Sequence, residues 1–303
     1  VIADVSGAGA CVWTDAARRA ADFLLQVSAG GGLRHDARRD RPGGPAFVED
    51  YAYFSSYSSS WLDHARAYVE TISGRLSLDV SSRVLEIASN DGYLLQYFVQ
   101  RGVPCLGVEP TACTARAARQ KGVETLERFW GTATARQVLA ERGFQDLVVG
   151  NNVLAHVPDI NDFVAGIGIV LAPGGTATLE FQHVQNIVDL LQFDTIYHEH
   201  FSYLSLTSVE PLMARHGLQV YDVDKVPTHG GSLRIYVKHA ANRQLDLTDR
   251  VAALRAEERA FGLAAPAVYR AFMPRVQKVK HDLLAFLVEQ KTGLTVPELA
   301  CRV

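Results

Sequence analysis

Cysteine is scarce: Cys11, Cys105, Cys113 and Cys301 are the only four in 303 residues, and no two of them form a CxxC pair. That excludes a disulfide framework and a cysteine-built structural zinc site, and the four read as free thiols of a reducing cytoplasm. Positive charge is not in excess, with 30 Lys and Arg against 33 Asp and Glu, and no basic stripe is present. Nucleic acid is therefore not an expected partner. No apolar run approaches the roughly 20 residues of a membrane span. The opening "VIADVSGAGACVW" lacks the charged n-region and long apolar h-region of a signal peptide. The GxGxxG fingerprint of a dinucleotide fold is missing as well, which argues against an oxidoreductase.

What is present is an ordinary globular composition, 48% hydrophobic and 21% charged. Residues 1–50 are poorly patterned: "DAARRAADFLLQV" suits a short helix, and the Gly-, Pro- and charge-rich "AGGGLRHDARRDRPGGP" a linker. Within 51–80, Trp61, Ala65, Tyr68, Val69 and Ile72 recur at helical spacing, which predicts a helix. From 81 to 240 short apolar strands alternate with helical stretches: "RVLEIA", "CLGVEP", "VETLERFW", "FQDLVVG" and "TATLEFQ" each precede or follow a helix. Such alternation predicts an α/β fold with a parallel sheet covered on both faces. "LQVYDVDKV" and "GSLRIYVKHA" predict a final strand pair, and 241–303 a helical C-terminal extension.

Open parallel sheets bind ligands beyond the carboxyl ends of their strands, where the strand order reverses. The first such end is "VLEIASNDGYLL", in which Glu86 is followed by a turn through Ala88, Ser89, Asn90, Asp91 and Gly92. The second strand ends at Glu109, placed to accept two ribose hydroxyls. An acidic loop with an acidic second-strand end suits a cationic ligand that carries a ribose and no phosphate, and S-adenosylmethionine has that chemistry. A strand–turn–helix corner without a ligand is the alternative. Phe129 and Trp130 follow the third strand, where a ring could stack on adenine or pack into the core.

The segment "DTIYHEHFSYLS", 194–205, crowds two histidines, a glutamate, an aspartate and two tyrosines into twelve positions. From the segment alone a metal site, a proton-transfer site and a polar structural turn are all open. A metal is the weakest of them, since His198 and His200 share a face only in an extended segment and a third ligand is wanted. His156, after the fourth strand, reads equally as an active-site imidazole and as a satisfied core residue.

"EIASNDGYLL", "LGVEP", "NNVLAHVPD", "LAPGGTATLEF", "FDTIYHEHFSYLSLTSVEPLMARHGLQVYDV" and "PTHGGSLR" follow one another in the order of a known family. Over residues 50 to 290 the chain resembles the bacterial S-adenosylmethionine-dependent C-methyltransferases that act on nucleotide-linked deoxysugars. The resemblance implies a class I methyltransferase (Rossmann-like) fold, a seven-stranded mixed sheet with one antiparallel strand. It implies His200 as base, Glu199 as the group that orients an imidazole or binds a sugar hydroxyl, Tyr197 as a donor to the substrate oxygen, His156 as the group that polarises a ketone, and Tyr53 as a pocket cap. Asn152 matches a family asparagine near the methionine moiety. His229 and Arg234 of "THGGSLR" are candidates to meet sugar or diphosphate, although a hairpin turn also explains the glycines. His198 falls on a variable position. Relatives also carry a cysteine-rich zinc module and a second α/β lobe, which residues 1–50 and "KTGLTVPELACRV" do not resemble.

The implied reaction is methyl transfer to carbon 3 or carbon 5 of a dTDP-4-keto-deoxysugar through an enolate, with no metal. Imidazole, with an ordinary pKa near 6.5, suits the base. The alternatives are an O-methyltransferase with the same cofactor lobe and a relative that binds cofactor without turnover.

Overall fold

The computed structural model describes residues 53–197 and 199–290. The helix expected near residue 20, the linker after it, His198 and the last thirteen residues lie outside that set. The described residues fall into two compact units, one built from 53–183 and 199–258, the other from 184–197 and 259–290.

The larger unit holds a seven-stranded sheet: β1 (Val84–Ile87), β2 (Cys105–Val108), β3 (Thr125–Leu126), β4 (Gln145–Asn151), β5 (Leu171–Gln182), β6 (Leu218–Val226) and β7 (Ser232–His239). Their order is β3-β2-β1-β4-β5-β7-β6. β7 runs antiparallel to both β5 and β6, and the other pairings are parallel. The strand order reverses between β1 and β4, so the crevice of an open α/β sheet opens beyond Ile87 and Asn151.

Helices α1 (Ser59–Leu76), α2 (Leu95–Gln100), α3 (Ala112–Gln120), α4 (Thr132–Arg142), α5 (Ile160–Val170) and α7 (Leu206–Arg215) cover the sheet, and α8 (Asp249–Phe261) follows it. Ser58 caps α1 by accepting from the Trp61 amide at 3.2 Å, an arrangement worth about 1 kcal/mol in general. Asp159 caps α5 through the amides of Asn161 and Asp162.

Alternation along the strands gives the sheet two distinct faces. Leu85, Ile87, Val148, Leu179 and Phe181 belong to the core beneath α5 and α7. Val84, Leu147 and Val149 belong to the second core, with Ala65, Tyr68, Val69 and Ile72 of α1 and Phe98 of α2. β5 presents polar residues to this second face, and each is matched. Thr176 meets the Tyr221 hydroxyl at 3.1 Å, Thr178 the Tyr68 hydroxyl at 2.6 Å, and Glu180 the His64 ring at 3.0 Å. Two residues of α1 four apart thus dock on β5 residues two apart. The helix of 51–80 is fastened to the sheet as well as packed on it.

In the smaller unit α6 (Val184–Asp189) leads to a 3-10 turn at Phe193–Thr195, and α9 spans Pro266–Gln290. Arg275 of α9 donates to the carbonyls of Val188 and Asp189 at 3.1 and 2.7 Å. A cation there satisfies orphan carbonyls at a helix C-terminus.

Candidate active site

β1 gives way to a loop that is left-handed at three of five residues: Ala88 (φ +57°), Asn90 (φ +48°) and Gly92 (φ +76°). At Gly92 the conformation favours glycine, and a Cβ would press on Ala118 and Val123 at 3.1–3.2 Å. Asn90 tolerates the left-handed region, whereas Ala88 has no such licence. It is held by its own amide, which donates to the Val108 carbonyl at 2.8 Å. Gly107 of β2 lets Ser89 lie directly against the strand, since a Cβ there would collide with the Ser89 side chain.

Unpartnered acceptors gather around this loop. Oγ of Ser89 and Oδ1 of Asp91 are buried without a hydrogen-bond partner, and the buried side chains of Glu86 and Asn151 have only the Tyr93 hydroxyl near them. Burial pushes the Glu86 carboxyl well above the usual carboxylate range; Glu109 and Asp91 push the same way, and Tyr93 opposes them. Buried polar groups in native proteins are normally satisfied, so orphans in a cluster call for a partner. A ligand that brings positive charge and hydrogen-bond donors fits such a cluster, and a pyrophosphate does not.

Glu109, at the end of β2, accepts from the Asn90 amide at 3.0 Å and the Thr111 amide at 2.9 Å, one bond to each oxygen. Each carboxylate oxygen retains a second lone pair for a hydroxyl. Phe129, 57% exposed, follows β3 with its carbonyl fixed by the Thr134 hydroxyl at 2.7 Å. Trp130 instead donates its indole N–H to the Phe163 carbonyl at 3.1 Å and packs on Gly166, a structural placement.

The cofactor loop also grips the segment before α1. The Asn90 side chain donates to the Tyr53 carbonyl at 3.1 Å and accepts from the Ser55 amide at 2.9 Å. Lys121 bridges Ser56 Oγ at 2.5 Å and Asp91 at 2.9 Å. Tyr53 is thereby tied by its backbone to the loop, while its side chain is 54% exposed.

Beyond β4, Asn152 is left-handed (φ +50°) and starts the descent into a 3-10 turn at Leu154–His156. The Ala155 carbonyl accepts from the amides of Phe201 at 2.7 Å and Ser202 at 3.2 Å. These bonds bring His200 beside His156, with ring centroids 4.7 Å apart and planes at 69°. Tyr203 stands edge-on to His200 at 5.6 Å. Burial draws the His156 pKa below 6.5, partly opposed by Glu199. His156 is therefore neutral at pH 7, with one N–H to donate. Tyr197 belongs to the smaller unit and is 43% exposed.

The turn between β6 and β7 places His229, itself left-handed (φ +51°), with Nδ1 3.4 Å from the Asn152 amide nitrogen and the ring edge-on to Trp61. Burial lowers its pKa too. Arg234, a candidate to meet sugar or diphosphate, is engaged inside the fold. It is buried, pairs with Glu180 at 2.6 Å and stacks on Tyr68. Glu180 also accepts from the Thr228 hydroxyl at 2.7 Å. Burial works against its charge, yet His64 and Arg234 hold its pKa down to about 2.

Sequence reasoning passed over His64, Trp61, Tyr93, Asn151, Thr228 and Glu180. Trp61 stacks on both His64 and Tyr93, with centroids 5.0 and 5.7 Å away. The available signal was a Trp and a His on the apolar stripe of α1 and a Glu in the last turn-facing position of β5. Among the described residues no group of three His, Cys, Asp or Glu side chains could hold a metal, and no helix is long and apolar enough to cross a membrane.

Residues 40–223 match the methyltransferase domain family and residues 227–296 the C-methyltransferase C-terminal domain. The chain belongs to the methyltransferase domain family. The family's cofactor is S-adenosylmethionine, and Glu86, Asp91 and Glu109 are the acceptors that fit its cationic and ribose groups. The chain is 36% identical over 233 residues to C-methyltransferase NovU of Streptomyces niveus, covering 77% of this chain and 55% of that protein. It thus spans about half the length of this curated relative. It is 27% identical over 161 residues to a ubiquinone biosynthesis O-methyltransferase of Bradyrhizobium sp. (strain ORS 278), 45% of this chain and 62% of that one. Among solved structures, the PH0226 protein of Pyrococcus horikoshii OT3 shares the fold, with a TM-score of 0.51 at 18% identity over 64% of this chain and 99% of that one.

Proposed function

We propose that the chain methylates a ring carbon next to the ketone of a nucleotide-linked 4-keto-deoxysugar, at carbon 3 or carbon 5. The observation that carries this reading is the pair of imidazoles, His156 and His200, at the same carboxyl edge of the sheet as the acceptor-rich loop. Methylating carbon needs a base for a C–H and a donor for the oxygen on which charge develops, and the pair offers both.

His200 removes the proton from the carbon beside the ketone. The C–H electron pair becomes the C=C bond of an enolate, and the carbonyl π pair moves onto oxygen. Neutral His156 donates its N–H to that oxygen. Glu199 orients the imidazoles, and Tyr53 covers the sugar. Glu86, Ala88, Asn90, Asp91, Gly92, Glu109, Phe129 and Asn152 form the cofactor site. When bound, S-adenosylmethionine would supply an electrophilic methyl group, to which the enolate C=C pair bonds as the methyl–sulfur bond breaks and the ketone re-forms; His200 then gives its proton to solvent. The sugar-facing group of the "THGGSLR" turn is His229; Arg234 acts behind it, as the counter-charge of Glu180. The resemblance carried by "YHEHF" and "HGGSLR" supports a nucleotide-linked sugar, and the C-methyltransferase C-terminal domain supports carbon over oxygen as acceptor.

The test is incubation with methyl-13C-labelled cofactor and a series of dTDP-4-keto-deoxysugars, followed by NMR of the product. A new C–CH3 correlation at carbon 3 or 5 is expected. A methoxy carbon would assign the chain to O-methylation instead.

A further inference from the structure

Outside the site just described, Glu258 of α8 is a buried carboxylate of the larger unit with all its hydrogen bonds made to one short stretch of chain and one histidine. Its side chain is completely buried, 52 residues from the nearest partner in sequence other than Thr207. Oε1 accepts from the His183 ring at 2.9 Å and the Leu206 amide at 2.7 Å. Oε2 accepts from the Thr207 amide at 2.8 Å and its hydroxyl at 2.6 Å. Leu206 and Thr207 open α7, so Glu258 satisfies its first two orphan N–H groups; Ser205 Oγ satisfies the next, from Ser208, at 3.2 Å. A carboxylate at a helix N-terminus is also favoured by the helix dipole. Burial alone would raise the Glu258 pKa, but His183 and Thr207 bring it down.

His183 directly follows β5 and is itself buried. Its amide donates to the Gly231 carbonyl at 3.1 Å, and it forms a parallel bridge with Leu204. The run 199–205 is thus gripped twice: at Phe201 and Ser202 by the Ala155 carbonyl, and at its exit by Glu258 with His183. Between Ser202 and Leu206 lie only Tyr203, Leu204 and Ser205; Leu204 is bridged to His183, and the Tyr203 ring meets His200. An ordinary helix cap comes from a neighbouring residue; this one comes from another helix and is shared with the end of β5.

We infer that Glu258 is a positioning residue for methyl transfer: through His183 and the start of α7 it fixes the register of the 199–205 run, and with it the His200 ring against His156. This rests on the proposed function for its catalytic consequence, but the positional claim stands apart from it.

Two measurements on the full chain separate those claims. Hydrogen exchange by mass spectrometry is applied first to wild type, Glu258→Gln and His183→Gln. Peptides covering 199–208 should exchange at least tenfold faster in both variants, while peptides of β1 and β4 keep wild-type protection. Unchanged protection at 199–208 would overturn the inference whatever the chain catalyses. Turnover of the keto sugar is then expressed per cofactor site titrated by calorimetry, so that misfolded protein drops out. Glu258→Gln should lower kcat per site at least tenfold with cofactor Kd within twofold of wild type, and Glu258→Asp should recover part of the loss. Wild-type kcat per titrated site in Glu258→Gln would show the contact to be purely structural and would overturn the positioning role. Failure of the proposed function itself would appear differently, as no methylated sugar from wild type with the exchange result intact.

Discussion

The rings of His156 and His200 meet edge to face, 4.7 Å between centroids, because one carbonyl, that of Ala155, binds the amides of Phe201 and Ser202. Two imidazoles this close divide the work of proton transfer. Burial lowers the His156 pKa and so favours its neutral, donating form, and the base in the proposed reaction is His200. His200→Ala should lower kcat by roughly 10²–10⁴-fold, the usual range for a general base, while cofactor Kd by calorimetry stays at the wild-type value. His156→Ala should cost less, about 10²–10³-fold, as the loss of one donor to a developing oxyanion.

The same burial makes stability depend on pH. His156 and His229 both have folded-state pKa values below 6.5. Just below pH 6.5 the unfolded chain therefore binds more protons than the folded one, and stability falls as pH drops through that window. Glu180 adds a further loss of the same sign at lower pH, beginning near its unfolded value and complete as pH falls through about 2. Urea midpoints measured from pH 7.5 to 5 should decline, and the His156→Gln, His229→Gln double variant should flatten the decline.

Glu86 behaves oppositely. Its folded pKa is raised, so its contribution to stability is present below the unfolded carboxylate pKa and is lost as pH rises. At neutral pH the carboxyl destabilises the ligand-free fold. Glu86→Gln should raise the melting temperature without cofactor and weaken cofactor binding at least tenfold. Differential scanning calorimetry and titration calorimetry check the two halves.

Arg234 gives a third kind of outcome. Its partner Glu180 is wholly buried, so Arg234→Met leaves that carboxylate with only His64 and Thr228. Removing one member of a buried pair costs about 3–5 kcal/mol, which urea denaturation would read directly. Arg234→Met, Glu180→Gln should recover most of that loss. A phosphate-binding arginine would instead raise KM and leave stability alone.

Asn90 joins cofactor loop to capping segment through two side-chain bonds, to Tyr53 and Ser55. Asn90→Ala should speed amide exchange at Ser55 and raise the KM for the sugar several-fold more than the Kd for cofactor.

Much of this fold is legible in the chain because its signals are local. The seven strands follow from short apolar runs alternating with helical spacing, and the run "SNDG" marks the loop after β1 without outside help. β5 is longer than the sequence suggested: "LAPGG" joins the strand from Leu171, where the chain pairs with Gln145 before a register shift. Pro173 cannot continue a helix, but nothing local says that the strand has already begun. Glu180 and Glu258 were invisible for a different reason. Their partners His64 and His183 lie 116 and 75 residues away in sequence, and no spacing rule spans such gaps. The ion pair of Arg234 was invisible for the same cause, since an arginine beside two glycines gives no sign that its counter-charge is buried on β5.

Solvent deuterium exchange at the carbon beside the ketone tests the central claim most directly. The keto sugar is incubated in D2O with the demethylated cofactor product bound, so that deprotonation occurs without methylation. Wild type should wash deuterium into carbon 3 or 5 well above the rate in buffer, and His200→Ala should not. Equal exchange in both proteins, or none in wild type while methyl transfer proceeds, would contradict an enolate formed by His200.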